Sequence, residues 1–299
     1  MRFSKTLSKT ILSEDFLTTR SLRGSYGQFQ KANYLKGIII LHRKGKPFLQ
    51  KTMMNIFDNK ICHVTYTHTD CADVWPIYFG QMGRLFNLGM ENVVAINRQD
   101  SRLPIDVRTV VYDDAFPYPQ RLLSCLERLS EFEYIFFDHE DMFLYSEPDH
   151  DELKVYYSLL SSGEVDHIRM IKGGDCIYKQ ITGISSLFRF DLASKWIFSI
   201  QPSFWKRTVL MDILKANPDV SIWDFEVKSQ KAVKELKLKS GFSYRQGAKR
   251  GIYHFDNDVY PYIATAIVKG KWNLREYPEE LGQLLLKHGI DPNLRGHFS

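Results

Sequence analysis

Four ionisable side chains follow directly on a compact apolar run in the stretch Tyr134–Tyr145, YIFFDHEDMFLY. Tyr134, Ile135, Phe136 and Phe137 are β-branched or aromatic, the make-up of a short buried strand in an α/β sheet. Asp138, Glu140 and Asp141 are hard oxygen donors, and at a strand-to-loop turn their side chains can converge on one divalent cation. His139 is a borderline ligand or a hydrogen-bonding neighbour. Ligands of open α/β sheets sit outside the carboxyl ends of the strands, so an acidic cluster there points to a metal that holds phosphates. The alternative is a solvated acidic turn before a helix that starts near Asp149, but like charges crowded together need a cation to offset them.

A turn placed in this way requires a sheet of parallel neighbours, and the chain supplies their pattern. Ile61–Tyr66 reads as a first strand, Asp73–Leu88 as an amphipathic helix ended by Gly89, and Asn92–Asn97 as a second strand. Thr109–Tyr112 is a third strand, Pro119–Leu129 a helix with Leu122, Leu126 and Leu129 on one face, and Tyr134–Phe137 the fourth strand. Further on, helices are predicted over Asp151–Ser161, Ser203–Lys215 with Ser203 as N-cap, Ile222–Leu236 and Tyr277–His288. Strands are predicted over Val165–Ile171, Leu187–Phe190, Trp196–Ser199, Gly251–Phe255 and Tyr262–Val268. The alternation implies an α/β fold with a mostly parallel central sheet, Rossmann-type, and helices on both faces.

The 299 residues, 44% hydrophobic and 14% aromatic, are enough for a real core. The four cysteines, Cys62, Cys71, Cys125 and Cys176, form no CxxC pair, which argues for buried thiols in a reducing compartment rather than zinc or disulfides. The apolar run Gly37–Leu41 is far too short to span a bilayer, and no signal peptide is visible. Residues 1–60 hold twelve Lys or Arg against three acids, a balance of +9; since the whole chain carries +5, the rest carries −4. We therefore expect a basic extension over 1–60, with poorly anchored helices to Lys36 and an edge strand over Gly37–His42, and a single domain over 61–299. Such an extension suits peripheral contact with an anionic membrane or glycan, or a solvated tail with no partner.

Three stretches, in this order, make the chain resemble a glycosyltransferase of the GT-A fold, and in particular small bacterial-type enzymes of surface-polysaccharide synthesis. They are HVTYTHTDCADVW, where that family binds its nucleotide; FFDHEDMFL, at the place of its metal-binding DxD motif; and SIQPSFWKRTVLMDIL followed by IWDFE, similar to its acceptor-side strand, helix and acidic segment. The resemblance spans about Ile61 to Asn273. The acidic motif departs from a plain DxD, offering both Asp-x-Glu and His-x-Asp readings.

The resemblance implies transfer of a sugar from a nucleotide-diphosphate donor, a UDP-sugar first, to a glycan or lipid-linked acceptor, assisted by Mn²⁺ or Mg²⁺. The metal would be held by Asp138, Glu140 and Asp141, with His254 as a further ligand or phosphate contact. Thr67, His68, Thr69 and Asp70, with Arg98 and Asp138, would contact the nucleotide. Asp224 or Glu226 in IWDFE would be the base that takes the acceptor's proton, with Trp223 as a stacking face; Ser221 with acids in the first turn is otherwise simple helix-start chemistry. Gln201 and Trp205 would line the acceptor pocket, and Arg245, Lys249, Arg250 and Lys271 would grip the diphosphate. The expected setting is the cytoplasm, peripheral at the inner membrane face, with no nucleic acid as partner.

A nucleotidyltransferase of related fold remains the main alternative, but its Gly-rich phosphate loop does not follow Tyr66. An aspartyl phosphohydrolase would carry its Asp-x-Asp after the first strand, not the fourth. A non-catalytic glycan or nucleic-acid binder would explain the basic residues but not the acidic turn, which repels phosphate without a cation.

Overall fold

The structure, a computed structural model, describes residues 57–174, 176–245 and 247–299, all within the compact unit Met53–Ser299. In chain order its elements are β1 (Ile61–Tyr66), α1 (Trp75–Leu85), β2 (Glu91–Ile96), β3 (Arg108–Val111), α2 (Tyr118–Glu127), β4 (Tyr134–His139), α3 (His150–Ser161) and β5 (His167–Arg169). They continue with β6 (Lys172–Gly173), β7 (Tyr178–Gln180), β8 (Leu187–Phe190), β9 (Ser203–Lys206), α4 (Arg207–Ala216), α5 (Ile222–Glu235) and β10 (Ser240–Ser243). Four two-residue strands, β11 (Lys249–Arg250), β12 (His254–Phe255), β13 (Ile267–Val268) and β14 (Lys271–Trp272), precede α6 (Pro278–Lys287) and the short α7 (Pro292–Arg295).

The central sheet has nine strands in the order β3-β2-β1-β4-β9-β5-β10-β8-β7. Seven point the same way, and only β9 and β8 are reversed. β1 and β4 are buried at every position, and successive side chains leave by opposite faces. Ile61, Tyr134 and Phe136 enter one apolar cluster with the inner faces of α1, α3 and α6. Cys62, Val64, Ile135 and Phe137 enter the other, with α2, α4 and α5. Strands apolar on both faces need cover on both, and the fold is the mixed α/β architecture that the strand–helix alternation implied.

Several predicted elements come out differently. Ser203–Lys206 is a strand, not the first turn of a helix, because Phe204 and Trp205 go to opposite apolar clusters at a central sheet position. Trp196–Ser199 is not a strand; the N–H groups of Ile197 and Phe198 donate to the Gln230 side chain instead of to a neighbouring strand. Only Ile267–Val268 of the strand expected over Tyr262–Val268 forms, with an isolated bridge at Tyr262. The interior strand β10 was not foreseen, since Ser-Gly-Phe-Ser has little strand character.

The chain is anchored from Phe57 on: its ring packs 5.2 Å from that of Tyr157, and Lys60 pairs with Glu133 at 2.9 Å. The edge strand and helices expected before it lie outside the described residues. Among the described residues no helix is long and apolar enough to cross a membrane.

Phe136 packs against Phe86, Phe204 and Tyr260 at centroid distances of 5.1, 4.9 and 5.2 Å. Truncating it at the centre of the sheet should cost about 3–5 kcal/mol. Urea unfolding of Phe136→Ala is expected to show that loss, and an unchanged midpoint would contradict the packing described.

Candidate functional site

The carboxyl ends of β1, β4 and β5 and the amino end of reversed β9 meet at one edge of the sheet, and the polar residues of the acidic turn divide there between the two faces. Asp138, fully buried, goes under the sheet beside α1. Its Oδ1 accepts from the Tyr78 hydroxyl at 2.6 Å and lies 3.1 Å from His63 Nε2, while its Oδ2 accepts from Tyr260 at 3.4 Å. Thr65 bonds the Tyr78 hydroxyl at 2.8 Å, and His63 Nδ1 lies 3.1 Å from Asn92 Oδ1. The expected role of Asp138 as a metal and nucleotide ligand therefore gives way to an internal one, because its carboxylate is already taken up by partners from β1, α1 and the loop before β13. His139, on the other face, accepts from Tyr118 OH through Nε2 at 3.0 Å. Burial pushes its pKa down to about 3, so the imidazole is neutral.

Glu140 and Asp141 remain as an adjacent pair just beyond the carboxyl end of β4, Glu140 buried and Asp141 half-buried. Burial, and next the charge of Asp141, push the Glu140 carboxyl well above the ordinary range, while the Cys71 thiol bonds it and opposes the rise. Burial does the same to Asp141, against the charge of Arg295. Among the described residues no group of three or more His, Cys, Asp or Glu is arranged to hold a metal ion. The two-carboxylate set nevertheless suits Mg²⁺ or Mn²⁺, which commonly binds through one or two carboxylates with substrate phosphates and water filling the other positions. The raised pKa values of the pair come first from burial, a cost that a bound cation would offset.

The loop after β1 is only partly free for a ligand. Thr67 is fully buried: its Oγ1 accepts from Trp75 Nε1 and its carbonyl from Tyr112 OH, each at 2.8 Å. Its hydroxyl serves the loop and not a nucleotide. His68 Nδ1 accepts from Asp70 N at 3.0 Å, which leaves Nε2 to donate to Asp114 at 2.9 Å. Thr69 is bound to Asn97, Asp70 is exposed, and Arg98 projects into solvent. Asp73 does not cap α1; it pairs with Arg295.

His68 also lines a cleft of about 490 Å³ walled by Tyr66, Tyr112, Tyr118, Arg121 and Ile222. Tyr66 and Tyr112 stack in parallel with centroids 5.0 Å apart, and Tyr118 stands edge-on to Tyr66 at 5.0 Å. Arg121 lies over Tyr112 at 5.6 Å and pairs with Asp114 at 2.7 Å. Tyr118 links this cleft to the acids, since its phenol senses the charges of both Glu226 and Glu140.

IWDFE resolves into two unlike acids. Asp224 is exposed and completes the helix start: its N–H donates to Ser221 Oγ at 3.1 Å, and that hydroxyl bonds its carboxylate at 3.0 Å. Glu226 points inward, where Oε1 accepts from Ile200 N at 2.6 Å, and burial raises its pKa. One turn on, Gln230 holds Ile197 and Phe198, so α5 fixes the segment that leads into β9. Near Glu226 lies Arg169, a fully buried cation whose Nη1 donates to Ser199 Oγ at 2.7 Å and whose Nη2 has no hydrogen-bond partner among the described residues. Gln201 accepts from Tyr262 OH at 2.6 Å, and that tyrosine senses both Arg169 and Asp141.

The remaining expected contacts are placed elsewhere. Trp205 is core, stacked on His167 at 3.8 Å, while Trp223 is 72% exposed on the outer side of α5. Arg245 is held by Asp149 at 3.0 Å, and Arg250 by Asp256 and Glu280 at 2.7 and 2.5 Å. His254 bonds Tyr277 OH at 3.0 Å, burial pushes its pKa down, and it joins no metal-holding group among the described residues. Lys249 and Lys271 are exposed on two-residue strands. Cations in these places are paired within the chain or point to water. Sequence reasoning missed Arg295, Arg169 and the tyrosine cleft; the aromatic residues flanking β1 and opening α2 were the one available signal.

No family model and no curated protein matches this chain. Among solved structures it is similar to 4-diphosphocytidyl-2C-methyl-D-erythritol synthase from Anaerococcus prevotii, at 9% identity over 65% of this chain and 92% of that one, with a TM-score of 0.39. A likeness of that size carries no argument about function.

The strained pair has a pH signature. Glu140 and Asp141 keep protons in the folded chain at pH values where the unfolded chain has lost them, so stability falls as pH rises above their ordinary range. Thermal melts between about pH 5 and pH 8 are expected to decline more steeply for the native chain than for Glu140→Gln. Parallel slopes would mean that burial does not strain the pair.

Proposed function

We propose that this protein is a glycosyltransferase that moves a sugar from a nucleoside-diphosphate donor, a UDP-sugar first, to a hydroxyl of a glycan or lipid-linked acceptor. The observation that carries the reading is the adjacent Glu140–Asp141 pair just beyond the carboxyl end of β4, with Tyr118 of the tyrosine-walled cleft sensing the charges of both Glu140 and the inward-facing Glu226. In this reading Tyr66, Tyr112 and Tyr118 form the wall against which the flat base of the donor lies, with His68 and Asp114 at its edge. Glu140 and Asp141 would hold Mn²⁺ or Mg²⁺, which when bound supplies positive charge for the departing diphosphate.

Glu226 is the base in this scheme. The Ile200 N–H fixes one of its oxygens, leaving the other to take the acceptor's proton. The acceptor oxygen then bonds the anomeric carbon as the bond from that carbon to the phosphate oxygen breaks, and the electron pair leaves on the diphosphate. Burial lifts the basicity of Glu226 towards the working pH, and the charge of Arg169 limits the rise. Asp224, spent on the helix cap, is left out of the chemistry. Residues 1–60 are the part of this reading that concerns a membrane or glycan surface, through their basic excess.

Transfer from UDP-, GDP-, CMP- and dTDP-sugars, assayed with Mn²⁺ and with EDTA, tests the reaction class. Glu226→Gln is expected to lose turnover by about 10²–10⁴-fold with donor affinity little changed, while Asp224→Asn keeps most of its activity. Equal loss in both variants would remove Glu226 as the base. In calorimetry, Glu140→Gln combined with Asp141→Asn should abolish the gain in nucleoside-diphosphate affinity that Mn²⁺ gives the native chain; an undiminished gain would place the cation elsewhere.

A further inference from the structure

Arg295 is joined to Asp73 across 222 residues of sequence. Its Nε donates to Asp73 Oδ2 at 2.9 Å and its Nη2 to Oδ1, a fork-on-fork contact, while Nη1 donates to Gly270 O at 3.2 Å. The residue ends the short α7, and the backbone around it is fixed: Trp272 N donates to Gly296 O at 3.0 Å and Phe298 N to Trp272 O at 2.8 Å. The guanidinium is thus delivered to a defined place.

That place is the wall of a second cleft, about 450 Å³, lined by Thr69, Asp70, Asp73, Arg102 and Arg295. Arg102 is occupied, its Nε and Nη2 donating to Asp100 at 2.9 and 2.6 Å. Arg295 differs in what lies behind it, because its charge acts on Asp141, on Glu140 and on Cys71, the thiol that bonds Glu140. It is the cation closest in effect to the acidic turn, yet its fork is spent on a carboxylate that is half exposed, at 48%, while Arg295 itself is only 15% exposed. An exposed carboxylate regains water when released, so it is the partner that can be exchanged at low cost.

We propose that Asp73 is a placeholder for phosphate: when a nucleoside diphosphate binds, Arg295 transfers one or both of its hydrogen bonds from Asp73 to a diphosphate oxygen. The inference rests on the donor reading of the Glu140–Asp141 turn and names the residue that grips the diphosphate. A divalent cation on two ionised carboxylates is electrically neutral as a unit, so the charge of the diphosphate needs a further cation, and the planar fork of Arg295 matches phosphate oxygens as well as it matches a carboxylate. Arg295 is a binding residue here. No covalent step involves it.

The test is a calorimetric titration of the full chain with UDP in saturating Mn²⁺, comparing the native protein with Asp73→Asn, Arg295→Gln and the double variant, with thermal melts to verify folding. Arg295→Gln is expected to weaken UDP by about tenfold to a hundredfold, the effect of losing a charge-assisted contact. Asp73→Asn removes the competitor and should tighten UDP by roughly threefold to tenfold, with the double variant behaving like Arg295→Gln. A pair that only staples the C-terminal segment predicts the opposite pattern: both single variants break the same bridge, so affinity shifts in the same direction in each or in neither, and the proposal is overturned. Absence of binding by the native chain to UDP, GDP, CDP and dTDP alike would instead remove the donor reading, and this inference with it.

Discussion

Two neighbouring carboxylates at the end of a fully buried strand, Glu140 buried and Asp141 half-buried, are the constraint around which the rest of the structure is arranged. Burial disfavours the charged forms and neighbouring like charges add to it, so both Glu140 and Asp141 hold their protons more tightly than ordinary acids. A folded chain tolerates this only where surrounding structure enforces it, and here the enforcement is visible. β4 is locked between β1 and β9 in a register that runs through Asp138 and His139 on one side. The turn is then held from both faces, by Asp138 beneath and His139 above.

Asp138 bears most directly on this. Its carboxylate is bound by two tyrosine hydroxyls and lies against a histidine nitrogen, all buried, so its oxygens are taken up within the fold. A buried network of this kind is costly to break and fixes one geometry. Asp138 belongs to the scaffold, and the two acids beyond it lie past the end of the strand. One residue's step along a strand changes the face and with it the role.

The placing of Glu226 depends on the reversed strand. β9 runs against β4 and β5, which brings the segment before it, Ile197–Gln201, to the same edge as the carboxyl ends of the parallel strands. Glu226 and Gln230, one helical turn apart on α5, bind that segment's backbone. Arg169 at the end of β5 reaches it through Ser199. A carboxylate from a helix, a cation from a strand and the acidic turn are thereby gathered from positions far apart in the chain. Arg295 and Asp73 close the arrangement from the C-terminal end.

By itself the sequence determined what local pattern can encode. Short continuous apolar runs gave β1, β2 and β4, and the 3.6-residue stripe of Leu122 and Leu126 gave α2, since each of these rests on residues within one element. It also carried Ser221 as a helix cap with Asp224 bound to it. Phe204 and Trp205 were misread because a four-residue aromatic run beside a helix has no period of its own, and only the sheet that surrounds it made it a strand. Which of Asp224 and Glu226 turns inward, whether a basic residue is free or already paired, and that Asp138 rather than Glu140 or Asp141 is taken up by buried tyrosines were decided by tertiary structure. Each depends on a partner brought from elsewhere in the chain, as Ile200 is to Glu226, Asp256 to Arg250 and Tyr78 to Asp138. Charge is visible in a sequence; its compensation is a matter of distance, and distance is set by the fold.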